Sequence, residues 1–357
     1  MAQHERPRLR QYRSCKGPEM GQGAAVPRSS SGADTTDRRR ALDSGKMKFG
    51  IMLPRAFGPR RAPDIASRAE GLGYDSFWVT DFALGPPPDP MALLAAASQK
   101  TERILLGTAV MVLPYRHPVA LAKTAATVDA LSNGRLILGL GVGSNKREFD
   151  AMGLEIRRRG AMVDEKLALL RRLLSEQDVT HNGRFHRVEG VDVGPEPVQR
   201  PHPPIWLGPL WKDGLVEATV RRTGRLGDGF IPSSIPVSRY AAERQKVRAY
   251  AEKAGRDPDG ITFAAVLWFC LDDDRERAWK VLEAESNYWR RDRLAARGQA
   301  NVSGRAEDCV EAIQEYADAG VTHLVLNAGV PLERTVEQYE QFAREVLPLA
   351  RGVSASL

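Results

Sequence analysis

Three stretches of the chain hold residue types from which a reaction centre can be assembled. Asp81 ends the apolar run Phe77-Trp78-Val79-Thr80, His117 follows Tyr115 and Arg116, and Gly139-Leu140-Gly141-Val142-Gly143 leads into Ser144 and Asn145. A carboxylate at a strand end can orient a polar ring, although a turn or helix N-cap is its ordinary duty. An imidazole that titrates near neutrality can pass a proton or orient a substrate, but at a strand-to-helix junction it more commonly hydrogen-bonds the helix entry. Glycines let a flat ring or an extended chain approach bare backbone, with Ser144 and Asn145 as polar contacts; the competing reading is close packing alone. A dinucleotide fingerprint fails at its third glycine, where Ser144 stands. Lys146, Arg147 and Arg157 to Arg159 offer charge for an anionic tail, or simply a solvated face. His181, His186, His202 and His323 lack metal-ligand spacing, and Cys15, Cys270 and Cys309 are too scattered for a disulfide frame or zinc site.

These residues need elements to carry them. Pro118 suits a first helical turn, and Leu121, Thr124, Ala125, Val128 and Leu131 recur at helical spacing until Asn133-Gly134 stops the run. Leu136 to Leu140 is apolar without alternation, as a strand buried on both faces of a parallel sheet must be. The same alternation recurs along the chain, with strands expected at 48–53, 75–80, 103–112, 135–141, 204–208, 227–232, 261–271 and 322–327. Helices are expected near 62–72, 89–99, 117–131, 159–175, 213–224, 237–254, 274–292, 306–319 and 334–350. Eight such units define an α/β protein of the (β/α)8 TIM-barrel class with insertions after strands 4 and 7, a doubly wound open sheet being the alternative. Barrel enzymes keep their active sites at the C-terminal ends of the strands, where Asp81, the third-strand end and the glycines all fall. The long segments 142–203 and 272–321 follow strands and are candidate lids, the first with a hairpin expected around Asn182-Gly183. Trp206, Trp211, Phe230, Trp268 and Phe269 are either core or the wall of a substrate cavity.

Composition narrows the partners. Of the net charge of +7, residues 1–46 carry ten Lys/Arg against five Asp/Glu, leaving 42 against 40 in the rest of the chain. The body is nearly neutral, without a basic stripe interleaved with aromatics, so no nucleic-acid partner is expected. No apolar run is long enough to span a membrane, no signal peptide is visible, and three cysteines fit a reduced, cytoplasmic setting. Residues 1–46 lack a period and large apolar groups and are expected to be a disordered extension, with one domain over 47–357 and Met47 as the natural start.

The combination of Phe77 to Asp81, Leu106-Gly107-Thr108-Ala109-Val110, Leu113 to Leu131, Gly134 to Gly143, Arg159-Gly160 with Asp164-Glu165, Pro203 to Gly208 and Leu226 to Phe230 resembles the bacterial luciferase-like monooxygenase superfamily. It is most similar to the branch that uses the deazaflavin coenzyme F420, with the FMN-dependent branch next. The resemblance implies an oxidoreductase acting on a small-molecule substrate, a cofactor in the barrel mouth and a homodimer. It places a cis non-proline bond at Ala109–Val110, Asp81 near the redox face, the cofactor tail along Gly141, Gly143, Ser144 and Asn145, and a backbone contact at Gly208. His117 stays a catalytic candidate. Two departures stand out: the sugar-phosphate dehydrogenases of this superfamily carry a base histidine and a glutamate where this chain has Phe82 and Ser144. Oxidising an alcohol needs a base for the hydroxyl proton, so that activity is not expected. A flavin-binding protein without catalysis remains the alternative of another class.

Overall fold

The computed structural model describes residues 46–209, 215–287 and 301–353. The expected N-terminal extension, except Lys46, and Trp211 lie outside the described residues. Eight parallel strands form the barrel: β1 (Lys48–Met52), β2 (Ser76–Val79), β3 (Leu105–Thr108), β4 (Leu136–Gly141), β5 (Ile205–Leu207), β6 (Gly229–Phe230), β7 (Thr262–Leu271) and β8 (His323–Ala328). Each pairs with the next, and β8 pairs with β1 through Lys48 opposite His323 and Ile51 opposite Leu326. That last pairing closes the sheet and removes its edges, which excludes the open doubly wound arrangement.

Eight helices ring the strands: α1 (Ala62–Gly71), α2 (Pro90–Ser98), α3 (Pro118–Leu131), α4 (Arg159–Ser175), α5 (Glu217–Leu226), α6 (Val237–Lys253), α7 (Ala306–Asp318) and α8 (Thr335–Glu345). All six residues of β4 are buried, as a strand covered by helices on one side and lumen on the other requires. Four expected boundaries are corrected. The strand expected at 103–112 is interrupted at Ala109–Val110, whose peptide is cis, and resumes at Met111–Val112, which pairs with Leu140 and Gly141. The strand expected over 227–232 is only Gly229–Phe230, and the helix expected from 213 begins at Glu217. The helix expected over 334–350 divides at Val346, ahead of Pro348, into α8 and a short turn Leu347–Ala350.

Both insertions are present. The one after β7 holds a helix, Arg275–Asn287, and a strand, Asn301–Gly304, that extends the sheet beside Trp268 to Leu271. The one after β4 holds a short helix, Lys146–Ala151, then α4 and the hairpin Val179–Asn182 with Arg187–Val191. One carboxylate pins that hairpin: Glu165 of α4 accepts the backbone N–H groups of Arg184 (2.8 Å), Phe185 (3.0 Å) and His186 (2.8 Å). Glu165→Ala is therefore expected to loosen the hairpin tip alone. Tryptic cleavage after Arg184 and Arg187 should be at least about tenfold faster at unchanged cleavage elsewhere; an unchanged rate contradicts this role.

The lumen is packed rather than hollow. Trp78 and Trp206, with ring centroids 5.2 Å apart, fill it with Met52, Ile137, Val266 and Val325. Space for indoles comes from glycine, since a Cβ on Gly107 would penetrate the Trp78 ring and one on Gly229 the Trp206 ring. His323 meets both indoles edge-on and lies 2.7 Å from Ser76 Oγ. Burial holds its pKa down at about 3, so it stays neutral and belongs to the core.

Candidate active site

The plug of tryptophans has a lid of backbone. Ala109 and Val110 pack on top of the lumen cluster and remain partly exposed at the C-terminal mouth, with Ala109 N–H donating to the Val79 carbonyl (2.8 Å). The result is a small-residue shelf across the barrel axis. The glycines expected to admit a ligand serve this shelf. A Cβ on Gly141 would lie 2.6 Å from Val110 Cγ2, and one on Gly208 2.7 Å from Val110 Cγ1. A Cβ on Gly143, at φ +72°, would sit 2.6 Å from Val112 Cγ1, and one on Gly139 would overlap the Thr108 carbonyl oxygen. The direction a side chain would take at each of these glycines is thus filled by protein. They let the interrupted third strand interdigitate with β4 and β5, and the shelf is what results.

Asp81 lies two residues beyond β2, at the rim of the shelf, and is 5% exposed. Its Oδ2 accepts Val112 N–H (3.0 Å), and its Oδ1 accepts the Arg116 guanidinium (2.8 Å). Arg116 also donates to Asp89 (2.6 Å), which caps α2 by accepting Met91 and Ala92 N–H. The N-cap duty falls to Asp89, so Asp81 is free of it and instead ties the shelf to the loop that follows. Burial pushes the Asp81 carboxyl above its ordinary range, against the opposing pull of Arg116 and the Val112 amide. Arg116 Nε is buried with no hydrogen-bond partner among the described residues.

The other candidates sit further out. His117 is exposed; its carbonyl accepts Leu121 N–H at the start of α3, and its ring stands edge-to-face on His186 of the hairpin, 5.3 Å between centroids. Ser144 and Asn145 are exposed, and the Asn145 side chain caps the Lys146–Ala151 helix by accepting Arg147 N–H (3.1 Å). Lys146 pairs with Asp150 within the same helix. The structure thus gathers Asp81, Ala109, Val110, Gly141 and Gly208 at the shelf, and leaves His117, Ser144 and Asn145 around it. Of the aromatics considered as cavity walls, Trp206 is in the lumen, and Phe230 and Phe269 are fully buried under the helices. Trp268 alone of the four described is partly exposed.

Residues that sequence reasoning passed over complete the rim. Arg55, in the loop after β1, lies over the Phe82 ring (4.2 Å to the centroid), and burial lowers its pKa to about 10 against the attraction of Glu148. Glu148 is buried and accepts the Tyr115 hydroxyl (2.9 Å). Four successive βα loops therefore meet at one place through Arg55, Phe82, Tyr115 and Glu148. A glutamate one turn into a helix gives no such signal in sequence, because its partners lie 33 and 93 positions away.

The fold is a closed (β/α)8 barrel with a packed lumen, and the backbone shelf and the acid–guanidinium pair at its edge lie at the C-terminal mouth, the face on which barrel enzymes keep their active sites. The luciferase-like monooxygenase family model matches residues 47–323. The chain belongs to this family of oxidoreductases. The F420-dependent glucose-6-phosphate dehydrogenase of Intrasporangium calvum is 32% identical over 331 residues, covering 83% of this chain and 96% of that protein. Among solved structures, monooxygenase RslO1 from Streptomyces bottropensis superposes with a TM-score of 0.71 at 27% identity, covering 85% of this chain and 99% of that one. The coenzyme F420-dependent tetrahydromethanopterin reductase of Methanopyrus kandleri has a TM-score of 0.70 at 23% identity, with 85% and 99% coverage, and speaks for the fold. Among the described residues no helix is long and apolar enough to cross a membrane.

Proposed function

We propose that the chain is a coenzyme F420-dependent oxidoreductase that passes a hydride between the deazaflavin and a small organic substrate. The observation that carries this reading is the partly exposed Ala109–Val110 shelf across the mouth of the packed barrel, with the Asp81–Arg116 pair at its edge. A flat ring bearing carbonyl groups fits a shelf of that kind, and F420-dependent relatives that match over almost their full length support the choice of ring.

Bound there, the deazaflavin would supply the two-electron chemistry, and the protein the position and the field. Ala109 and Val110 would hold one face of the ring, the packed lumen beneath excluding water. Arg116 would donate to a ring acceptor, held in place by Asp81 and Asp89. Gly141, Gly143, Ser144, Asn145 and Gly208 remain the proposed path of the cofactor's chain, in contact through backbone. His117, exposed at the rim, would meet the substrate rather than the ring.

Phe82 and Ser144 stand where the sugar-phosphate dehydrogenases have a base and an acid, so the site favours reduction of an organic acceptor over oxidation of an alcohol. In this reading the substrate is a small molecule and the assembly a homodimer. The experiment mixes the protein anaerobically with reduced F420 and a panel of enones and nitro compounds, and follows the return of oxidised-deazaflavin absorbance. Acceptor-dependent reoxidation is expected, with no reduction of oxidised F420 by glucose 6-phosphate. Rapid sugar-phosphate oxidation would sink the directional part, and no response with any acceptor would favour a binding protein. A flavin-dependent monooxygenase is the second reading, favoured by the likeness to RslO1; oxygen uptake with reduced FMN would support it.

A further inference from the structure

The mechanism leaves one buried charge of α4 unexplained. Lys166 is 4% exposed, and among the described residues its ammonium forms no ion pair: Nζ donates to the carbonyls of Pro114 (2.7 Å) and Arg116 (2.8 Å). Those carbonyls flank the loop between the third strand and α3. The same loop carries the guanidinium that grips Asp81, and it follows directly on Val112, whose N–H takes the other Asp81 oxygen. A lysine that burial disfavours and that satisfies only backbone carbonyls is retained against its own desolvation cost.

We propose that Lys166 is a positioning residue for the reaction centre: by clamping the carbonyls of Pro114 and Arg116 it fixes the Arg116 guanidinium and, through it, Asp81. The claim that this matters for the cofactor rests on the F420 reading; the clamp itself does not. Two charge-assisted bonds from one ammonium fix the loop at two points, so the backbone of Arg116 cannot swing and its side chain reaches Asp81 and Asp89 together. The helix bearing Lys166 also fixes the hairpin through the adjacent Glu165, and His186 from that hairpin meets His117 at the start of α3. The charged and titratable groups around the ammonium are thus Glu165 on its own helix, His186 and His117 across from it, and Arg116. Burial lowers the Lys166 pKa to about 8, so the clamp should weaken in mildly alkaline solution as charge-assisted bonds become neutral ones.

The first measurement is hydrogen exchange on the cofactor-free protein. In Lys166→Met the amides from Val112 to His117 should exchange at least about tenfold faster than in the wild type, with β1 and β8 unchanged, and Lys166→Arg should restore most of the protection. The Val112 amide decides, because its acceptor is Asp81 itself. Should Lys166→Met fail to fold, the wild type carries the same test: after correction for intrinsic rates, Val112 protection falls as pH rises through about 8, and does not in Lys166→Arg. The second measurement is F420 binding by ring fluorescence. Lys166→Met should weaken it about tenfold, and Lys166→Met with Asp81→Ala should bind no more weakly than Asp81→Ala alone, the signature of two residues acting as one. Unchanged Val112 exchange in a folded Lys166→Met variant, or additive losses of affinity, overturns the proposal. Absence of F420 binding by the wild type would instead overturn the cofactor reading, and the exchange data would still decide the clamp.

Discussion

Gly139→Ala should leave little native protein, and less than any other single methyl added to the barrel. The new Cβ would overlap the Thr108 carbonyl oxygen, which is backbone and cannot rotate away. Thr108 Oγ1 also donates to the Gly139 carbonyl (2.7 Å), so β3 and β4 are held together where the extra atom would have to go. Relief requires separating the two strands just below the shelf. We expect a loss of about 4 kcal/mol or more, the size reserved for overpacking against an unyielding neighbour. Gly58→Ala is the control: its Cβ would meet nothing within 4 Å, its φ is −62°, and stability should stay within about 1 kcal/mol of wild type. Urea unfolding of the two variants checks the contrast, and a Gly139→Ala protein as stable as Gly58→Ala would refute the packing described for the shelf.

Asp81→Ala should cost both stability and cofactor. It strands the Val112 N–H in a buried position and leaves Arg116, whose side chain is 29% exposed, with Asp89 as its remaining carboxylate partner. A lost acceptor for a buried amide together with half of a partly buried ion pair amounts to about 2–3 kcal/mol. Because the same contacts hold the guanidinium proposed to face the ring, affinity for F420 should fall roughly 100-fold, which corresponds to about 2.7 kcal/mol. Asp81→Asn, which keeps an acceptor oxygen, should fall between. Its pH dependence gives a separate check. Burial raises the Asp81 carboxyl in the folded state, so the stability this group contributes is complete below the unfolded carboxylate's pKa and is lost as pH rises through the raised value. Asp81→Asn removes the ionisation and should flatten that part of the acid profile in urea titrations. A variant whose profile parallels wild type would contradict the direction of the shift.

Much of the frame was legible in the residues. The unbroken apolar run of β4, the helix of α3 with Pro118 at its start and the eightfold alternation follow from local periodicity, which the chain expresses wherever strands are buried on both faces. The cis bond at Ala109–Val110 came from family resemblance, since nothing in Thr108-Ala109-Val110-Met111 itself signals it. What neighbours each glycine was not legible, because the atoms that fill the spaces beside Gly141 and Gly208 come from Val110, in the interruption of the third strand. Orientation of the aromatics failed for a related reason. A strand buried on both sides gives no alternation from which to tell lumen from helix layer, so Trp206 and Phe230 read alike although one faces the axis and the other does not. The Asp81–Arg116 pair and the Lys166 clamp join residues 35 and 50 or more positions apart, and only closure of the barrel brings them together.

The Ala109–Val110 shelf with Arg116 at its edge is proposed to seat a deazaflavin. Titrating the purified protein with F420 and, separately, with FMN while following ring fluorescence tests it directly. Saturable binding of F420 at one per chain, weakened in Asp81→Ala, with no comparable response to FMN, is the predicted result. Tight FMN binding with no response to F420 would contradict it.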